Sequence, residues 1–513
     1  MPKAIKDIVI LGGGAAGWIS AGVLANKLSP SSTSNTITLI ESKAVGTIGV
    51  GEGTWPTMRA TLKKIGISEN DLITQCDATF KQASKFVSWT NNSNQDFYYH
   101  PFNTPKAYPH INLAPYWQSE KWSQKSFSST VSCQEAVCEH GLAPKTLNTA
   151  EYKDIANYGY HLDAKKFCAL LKKHCTENLN VRYIQDDMKD VIKDNTGNIQ
   201  SLLCYESGEI KGDFFVDCSG FNSLLLGKAM DVDFVDKSNQ IFCDSALVLQ
   251  KPYSDPDSPI PCYTQSTAQE SGWIWDIGLS NRRGIGYVFS SHHTTDSIAE
   301  KTLNHYLGEQ SEKLTPRKIT FKTGHREIFW KKNCVAIGLA AGFIEPLEAS
   351  ALMFIETSAA MLADQFPANN NAIKNTAQRF NNAFIERWNG VIDFIKLHYV
   401  LSKRDEPFWV DNRDPNSMST SLKNRLEAWQ YEAPSDYDFP SQFDVFRAAS
   451  YQYVLYGMGF HTDFSNSGHL YNEKSRADKV IAMKMKEQYN LCANLPQHRA
   501  LINRIKQYGF SRI

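Results

Sequence analysis

An α/β fold with a doubly wound sheet is predicted by features that follow one another near the amino terminus. The apolar run at residues 7–11 indicates a buried strand, and the apolar stretch that reaches Leu28 indicates a helix. Between them stand Gly12, Gly14 and Gly17, in a Gly-x-Gly-x-x-Gly spacing that lets a strand turn tightly into a helix. A second apolar strand ends in Glu41. This order of strand, turn, helix and strand is typical of a dinucleotide-binding unit.

The glycine turn also indicates how such a ligand would be held. Glycines let the backbone approach a pyrophosphate, whose charge then faces the amino end of the helix. A carboxylate about twenty residues farther along can hydrogen-bond a ribose hydroxyl. We therefore expect the following residues to contact the dinucleotide: Gly12, Gly14, Ala15, Ala16, Gly17 and Glu41. These residues alone do not separate FAD from NAD.

Three further glycine-rich turns favour FAD. They lie at residues 49–54, 213–220 and 333–342, and the last leads into Glu-Pro-Leu-Glu at residues 345–348. Together the turns resemble the FAD-binding fold of flavin monooxygenases, in which such turns close around the ribityl chain, the phosphates and the isoalloxazine. The resemblance implies a mixed sheet and a mainly helical substrate-binding domain. It assigns further residues to the cofactor site, namely Glu52, Gly53, Met188, Asp217, Gly220, Leu339 and Leu352.

Two tryptophans, Trp273 and Trp275, stand two residues apart in the middle of the chain. In a strand this spacing places both indoles on the same face, where we expect them to form a flat wall. Taken alone, the pair is more simply explained as two core aromatics. Ile277 completes a Trp-x-Trp-x-Ile string.

Several of these strings together resemble the flavin-dependent tryptophan halogenase family. The family's Trp-x-Trp-x-Ile string matches residues 273–277, its Glu-Pro-Leu-Glu segment matches residues 345–348, and its Gly-Val-Gly-Glu turn matches residues 49–52. The family's catalytic lysine lies in a Thr-Phe-Lys string, which occurs here at residues 79–81. The match runs in register from about residue 6 to about residue 410.

The resemblance implies roles for individual residues. Lys81 would hydrogen-bond hypohalous acid, or be halogenated by it, and so aim the electrophilic halogen. Glu348 would orient the halogenating species and stabilise charge on the arene. Ser350 and Ala351 would contact the halide. The substrate site or the tunnel leading to it would be lined by His100, Phe102, Trp273 and Trp275.

The chain departs from the family pattern in two places. Gly278 stands where a proline is usual, which mainly affects local stiffness. Residues 349–351 are Ala-Ser-Ala in place of Ser-Thr-Gly. Halide contacts in this segment come partly from backbone N–H groups, which the substitutions keep. The change therefore leaves the preferred halide undetermined, whereas the halogenation reaction itself is still expected.

The activity implied by the resemblance is halogenation. Reduced FAD from a separate flavin reductase, oxygen and a halide ion would give hypohalous acid, which halogenates an electron-rich aromatic such as an indole. Residues 451–460 contain several aromatic side chains and no recognisable binding residues for an amino-acid backbone. Free indole is therefore at least as well supported a substrate as tryptophan. An FAD-dependent aromatic hydroxylase is the alternative, and a flavin-binding sensor would need no Lys81.

Composition narrows the class of protein. The 513 residues carry a formal net charge of zero, which argues against a dedicated nucleic-acid or membrane-surface binder. No apolar run approaches the ~20 residues of a membrane helix, and no signal peptide precedes the first strand, so we expect a cytoplasmic protein. Eleven scattered cysteines show neither disulfide nor metal spacing, so we expect buried thiols and no metal. A homodimer is left open.

The order of strands and helices sets the expected domain ranges. Residues 1–89, 151–240 and 320–365 are predicted to form the FAD-binding domain. Residues 90–150, 241–319 and 366–513 are predicted to form the substrate-binding and helical cap region.

Overall fold

Strands and helices alternate along much of the chain, and the predicted α/β class is confirmed. The computed structural model describes residues 3–29, 35–43, 49, 51–93, 95–119, 121–308 and 314–510. Val50, in the second of the glycine turns, lies outside the described residues. No helix in this described part is both long and apolar enough to cross a membrane.

The described strands and helices are numbered in chain order. The strands are β1 (Asp7–Leu11), β2 (Thr36–Glu41), β3 (Glu52–Gly53), β4 (Thr79–Lys81), β5 (Ala83–Val87), β6 (Phe97–Pro101), β7 (Gly159–Leu162), β8 (Arg182–Gln185), β9 (Met188–Lys193), β10 (Ile199–Cys204), β11 (Gly208–Lys211), β12 (Phe214–Asp217), β13 (Phe234–Asp236), β14 (Ser245–Pro252), β15 (Tyr263–Gln269), β16 (Gly272–Gly278), β17 (Arg282–Phe289), β18 (Arg317–Thr320), β19 (Gly324–Arg326), β20 (Trp330–Lys331), β21 (Cys334–Ala336) and β22 (Gly342–Phe343). The helices are α1 (Ala15–Leu28), α2 (Thr57–Ile65), α3 (Glu69–Gln75), α4 (Ala114–Trp117), α5 (Phe127–Val131), α6 (Gln134–Glu139), α7 (Ala164–Asn178), α8 (Asp296–Leu307), α9 (Ser350–Asp364), α10 (Ile373–Val400), α11 (Pro407–Asn412), α12 (Thr420–Trp429), α13 (Ala448–Gly457), α14 (Lys474–Asn494) and α15 (His498–Tyr508).

The chain divides into two units. The first unit comprises residues 1–78, 162–237 and 322–388, and the second comprises residues 79–161, 238–321 and 389–513. Residues 79–89 and 151–161, which we placed in the FAD-binding domain, fall in the second unit, where β4 pairs with β7 and β5 pairs with β15. Residues 366–388, which we placed in the cap region, fall in the first unit. The functions assigned to these ranges stay predictions.

A six-stranded sheet forms the centre of the first unit, in the order β20-β21-β12-β1-β2-β8. β1 pairs in parallel with β2 and β12, β2 with β8, and β12 with β21, whereas β20 runs antiparallel to β21. The apolar residues of β1 and β12 are buried, as expected for strands covered on both faces. Because parallel strands end at one edge, the segments that follow β1, β2, β12 and β21 lie side by side, where such sheets bind ligands.

A seven-stranded sheet forms the centre of the second unit, in the order β18-β14-β17-β16-β15-β5-β6. It is antiparallel except at the β5–β15 pair. Helix α8 covers one face, where Ala299 and Leu303 pack against Ile274 and Tyr287. Since side chains alternate along a strand, Trp273 and Trp275 face away from α8.

Candidate functional site

The three glycines of the first turn are required for different reasons. Gly12 has a φ of +121°, and a Cβ there would lie 2.1 Å from the carbonyl oxygen of Cys218. A Cβ at Gly17 would lie 1.8 Å from the carbonyl oxygen of Gly12. Gly14 has a φ of −77°, which any residue adopts, and a Cβ there would meet no protein atom within 4 Å. Gly12 and Gly17 are therefore required by the protein's own packing, whereas packing places no such requirement on Gly14.

This turn fits a pyrophosphate. Gly14 is the residue before α1, whose first two residues are Ala15 and Ala16, and as a glycine it has no side chain that could cap the helix. The first N–H groups of the helix lack intrahelical acceptors, so they suit an anion. The structure thus supports the predicted role of these residues as a cradle for the dinucleotide phosphates.

Glu41 lies beside the glycine turn. A Cβ at Gly13 would lie 2.4 Å from the Glu41 carboxyl group. The carboxylate accepts hydrogen bonds from the hydroxyl of Tyr183 at 2.8 Å and from the ammonium of Lys172 at 3.0 Å. Lys172 also lies 3.8 Å from the centre of the Tyr183 ring. Tyr183 and Lys172, which the sequence pattern did not single out, hold the acid in one orientation.

Asp217 accepts hydrogen bonds from its own turn, and the contact with the cofactor that we predicted for it stays a prediction. The side chain is fully buried, and it accepts hydrogen bonds from the backbone N–H groups of Ser219, Leu225 and Leu226 at 2.7–3.0 Å. The hydroxyl of Ser219 donates a further bond at 2.6 Å. Protein groups therefore occupy both carboxylate oxygens, and Asp217 shapes the turn that contains Gly220, whose φ is +74°.

The other predicted cofactor residues are spread over the first unit. Leu339 lies in the turn after β21, where a Cβ at Gly338 would lie 2.7 Å from the Cβ of Ala16. This turn therefore packs against the start of α1. Leu352 is buried in the first turn of α9. Met188 begins β9, which belongs to a separate three-stranded sheet with β10 and β11.

Glu52 and Gly53 form the short strand β3 that follows the second glycine turn. The Cβ position at Gly49 lies 3.1 Å from the Glu52 carboxylate, so the acid folds back onto its own turn. Burial of this carboxyl raises its pKa to about 7. Glu52 is therefore partly protonated near neutral pH and can donate as well as accept a hydrogen bond.

The segment 348–351 leads into α9, which begins at Ser350. Glu348 is 3% exposed, and its backbone carbonyl accepts a hydrogen bond from the indole N–H of Trp55 at 2.8 Å. Ala349 adopts a left-handed conformation with a φ of +52°, and no side chain caps the helix. The Ser350 hydroxyl is buried and has no hydrogen-bond partner among the described residues. Ser350 and the adjacent helix N–H groups therefore suit a small anion such as a halide.

Glu356, two turns farther along α9, was missed at the sequence level. It is 3% exposed, and its carboxyl accepts a hydrogen bond from the hydroxyl of Thr61 in α2 at 2.6 Å. Burial raises its pKa to about 8. One signal was available, because Glu356 is the single charged residue in residues 350–363.

In the second unit, Lys81 ends β4 and is 1% exposed. Its ammonium lies 5.2 Å from the centre of the Phe102 ring, so the structure brings these two predicted residues together. The neighbouring Thr79 donates a hydrogen bond to the carbonyl of Gly278 at 2.5 Å. A Cβ at Gly278 would lie 2.9 Å from Ile260, which gives a packing reason for glycine at this departure from the family pattern.

His100 lies among aromatic side chains. Its Nε2 atom lies 3.0 Å from the Ser450 hydroxyl, and the rings of Phe394, Phe446 and Tyr453 have centres 5.6–6.2 Å from its own. Phe394 and Phe446 stack at 3.8 Å. Tyr453 belongs to α13, in the segment that we associated with the substrate.

The two tryptophans of β16 do not form the flat wall that we expected. Their ring centres are 6.2 Å apart, but the rings are tilted by 55°. Trp275 lies over Gly286 of β17, where a Cβ would approach the indole to 2.1 Å. Trp273 is fully buried and contacts Trp89, at 6.4 Å between ring centres. The two indoles share a face of the sheet, but Trp273 is also part of the aromatic core of its unit.

The fold and the glycine turns define a flavin-dependent enzyme. The sequence profile described as tryptophan halogenase matches residues 7–470. A crystal structure of a tryptophan halogenase from Shewanella frigidimarina NCIMB 400 is 46% identical, with a TM-score of 0.96, and the match covers 100% of this chain and 99% of that one. The tryptophan 6-halogenase ThaL of Streptomyces albogriseolus is 33% identical over 453 residues, 85% of this chain and 83% of ThaL. The tryptophan 7-halogenase RebH of Lentzea aerocolonigenes is 30% identical over 526 aligned positions, 97% of this chain and 98% of RebH.

The chain belongs to the tryptophan halogenase family. The predicted family is therefore confirmed, and so is the class of enzyme, a flavin-dependent halogenase that uses FAD and halide. The comparisons favour this activity over the hydroxylase alternative. The roles predicted for individual residues stay predictions.

Proposed function

We propose that this halogenase acts on a neutral, electron-rich aromatic such as free indole, using reduced FAD delivered by a separate flavin reductase. The residues around His100 support this choice of substrate. The rings around it include Phe394, Phe446 and Tyr453, which are uncharged, and its Nε2 atom lies near the Ser450 hydroxyl. Aromatic faces fix a flat ring by stacking and by edge contacts, but they offer no charged partner to an amino acid's carboxylate.

The first unit would bind FAD and halide. The cradle at Gly14 and the start of α1 would receive the pyrophosphate, and Glu41 would accept a hydrogen bond from the ribose. Bound reduced FAD supplies the electrons with which oxygen and halide give hypohalous acid. Ser350 and the N–H groups at the start of α9 would hold the halide, because a helix amino end favours negative charge.

Lys81 would receive hypohalous acid in the second unit. A buried ammonium forms stronger hydrogen bonds than one in water, so it can hold the oxygen of the acid and leave the halogen facing the arene. Burial among residues such as Phe102 also keeps the reactive species away from bulk water. Glu348 would stabilise the positive charge that the arene develops.

Tryptophan is the competing substrate, because it is named for the relatives ThaL and RebH. A tryptophan-specific site would need charged or strongly polar groups for the amino-acid backbone. We therefore expect turnover of free indole to equal or exceed that of tryptophan when the two compete at equal concentration. Turnover of tryptophan far above that of indole would overturn the substrate proposal.

The decisive assay uses chemically reduced FAD, oxygen and indole, with chloride, bromide or iodide. A halogenase gives a product that requires halide and shifts in mass with it. Lys81→Ala should continue to oxidise flavin but lose the halogenated product, because the lysine acts after hypohalous acid forms. Product at a near wild-type rate in this variant would contradict the role of Lys81.

Lys85→Ala is a matched control for Lys81→Ala. Lys85 lies on the next strand, β5, and forms an ion pair with Glu139 at 2.5 Å. Its removal should leave the ratio of product to oxidised flavin unchanged. NADH or NADPH oxidation by the chain alone, with a hydroxylated product, would instead indicate a hydroxylase.

The homodimer also stays a prediction, which light scattering would test.

A further inference from the structure

A buried histidine, His161, lies beside Lys81 on the same face of a strand pair. β4 and β7 run antiparallel, with Thr79 opposite His161 and Lys81 opposite Gly159. Since side chains alternate along a strand, Thr79, Lys81 and His161 share one face. Gly159 carries no side chain, so His161 is the diagonal neighbour of Lys81 across the pair. Phe80 and Tyr160 lie on the other face, with ring centres 6.3 Å apart.

His161 has one ring nitrogen in use and one without a partner. It is fully buried, and its Nε2 atom lies 2.8 Å from the Thr264 hydroxyl. Its Nδ1 atom is buried and has no hydrogen-bond partner in the described part of the chain. A buried polar atom without a partner costs about 1–3 kcal/mol, so its presence calls for an explanation.

The nearby His498 shows that the fold can satisfy a buried imidazole here. Its Nε2 accepts a hydrogen bond from the backbone N–H of Phe80 at 3.0 Å, and its Nδ1 lies 3.0 Å from the carbonyl of Ile260. Both ring nitrogens of His498 are therefore used. The surroundings therefore do not prevent a buried imidazole from using both nitrogens, and the lack of a partner for Nδ1 is specific to His161.

The imidazole of His161 is uncharged. Burial lowers its pKa well below the ordinary value, and the positive charge of Lys81 lowers it further. One of the two neutral tautomers leaves a lone pair on the unpaired Nδ1. In that tautomer Nε2–H donates to the Thr264 hydroxyl, and Nδ1 is an acceptor.

We propose that His161 Nδ1 is a binding group for hypohalous acid, which it holds together with Lys81. The O–H of the acid donates to Nδ1, and its oxygen accepts a hydrogen bond from the Lys81 ammonium. Two nitrogen atoms that are both hydrogen-bonded to the same oxygen lie about 4.5–5.5 Å apart. The side chains of diagonal neighbours on one face of a strand pair can reach this spacing. With both ends of the O–H group held, the halogen is directed away from the two side chains and towards the arene.

In this arrangement every bond and proton in the transfer of the halogen to the arene has a defined donor and acceptor. The arene carbon attacks the halogen, the carbon–halogen bond forms, and the electron pair of the O–halogen bond moves to oxygen. The Lys81 ammonium protonates the departing hydroxide, which leaves as water. The resulting amine accepts the ring proton and becomes ammonium again. His161 stays neutral throughout and keeps the oxygen in place.

Two variants at one position separate this role from packing. Glutamine places its amide near the Nε2 position, so His161→Gln keeps a group for Thr264 and loses the Nδ1 acceptor. Asparagine places its amide near the Nδ1 position, so His161→Asn restores an acceptor there. The measurement is the number of halogenated indole molecules formed per reduced FAD oxidised, because a merely structural change would not alter this ratio selectively.

We expect His161→Gln to lower the ratio about 2- to 13-fold, as for one lost hydrogen bond of about 0.5–1.5 kcal/mol. Hypohalous acid that escapes should oxidise added free methionine to its sulfoxide in proportion. His161→Asn should recover most of the ratio. His325→Gln in the first unit is a matched control. His325 is also buried, and its Nε2 has no hydrogen-bond partner among the residues that the structure describes. The ratio of this variant should equal that of the wild type.

The inference rests on the proposed function, and the two can fail separately. If the wild type gives no halide-dependent product, the proposed function is wrong. If the wild type halogenates indole and His161→Gln keeps the wild-type ratio, only the role of His161 is wrong. An equal loss of ratio in His161→Gln and His161→Asn would also overturn that role, because it would indicate a packing defect.

Discussion

Replacing Glu356 by glutamine is expected to stabilise this protein at alkaline pH. The carboxyl of Glu356 is buried on α9, with hydrogen bonds from the hydroxyls of Thr61 at 2.6 Å and Thr57 at 3.5 Å. Hydroxyl donors alone do not compensate for the burial of a full negative charge. Burial accordingly raises the pKa of Glu356 from 4.5 to about 8.

The sign of the effect follows from where the proton is bound. Between pH 4.5 and about 8 the folded protein holds a proton on Glu356 that the unfolded chain has already released. The free energy of unfolding therefore falls as pH rises through this window and levels off above it. At about 1.4 kcal/mol per pKa unit, the full loss is about 5 kcal/mol, of which about 3 kcal/mol is already lost at pH 7.

Glutamine has no such loss, because its amide is neutral at every pH and its oxygen can still accept from Thr61. Denaturant unfolding of Glu356→Gln and of the wild type from pH 5 to pH 9 should give curves that separate as pH rises, with the variant more stable at pH 9. Glu177→Gln, an exposed position in the same unit, is the control and should follow the wild type. Parallel curves for Glu356→Gln and the wild type would refute the reasoning.

Three further predictions concern the site and its support. Gly14→Val should weaken FAD binding about 10- to 100-fold, as for lost charge-assisted hydrogen bonds to a phosphate, while thermal unfolding without FAD stays unchanged; unaltered FAD titration would contradict the cradle. Glu348→Gln should slow halogenation of indole about 10²-fold in single-turnover assays, the low end for lost electrostatic stabilisation, and an unchanged rate would exclude that role. Gly286→Ala should lower the free energy of unfolding by about 1–3 kcal/mol through its clash with Trp275, whereas Gly390→Ala, where a Cβ meets no atom within 4 Å, should not destabilise the protein.

The sequence was most informative where one residue type has a unique use. The spacing of Gly12, Gly14 and Gly17 predicted a turn, and the structure places Glu41 beside it as expected. The spacing does not show which of these glycines is required by packing, because that depends on Cys218, a residue about two hundred positions farther along the chain. Long-range neighbours of this kind leave no local pattern.

The sequence was less informative where tertiary partners determine what a side chain contacts. Asp217 has the position of a ligand-binding acid at a strand end, but nearby backbone N–H groups occupy it. The indoles of Trp273 and Trp275 share a face, but the space above Gly286 and the contact with Trp89 tilt them. His161 has an ordinary strand context in sequence, and its unpaired nitrogen becomes visible only when the register of β4 and β7 is known.

Sulfur is the part of a protein that hypohalous acid oxidises most readily, so an enzyme that generates this acid must protect its own cysteines. Ten of the eleven cysteines in this chain are buried, all within the described residues. Burial raises the pKa of the Cys175 thiol to about 12 and that of Cys204 to about 11, so both stay in the weakly nucleophilic thiol form. Cys492, which is partly exposed, is where oxidative damage during turnover should begin.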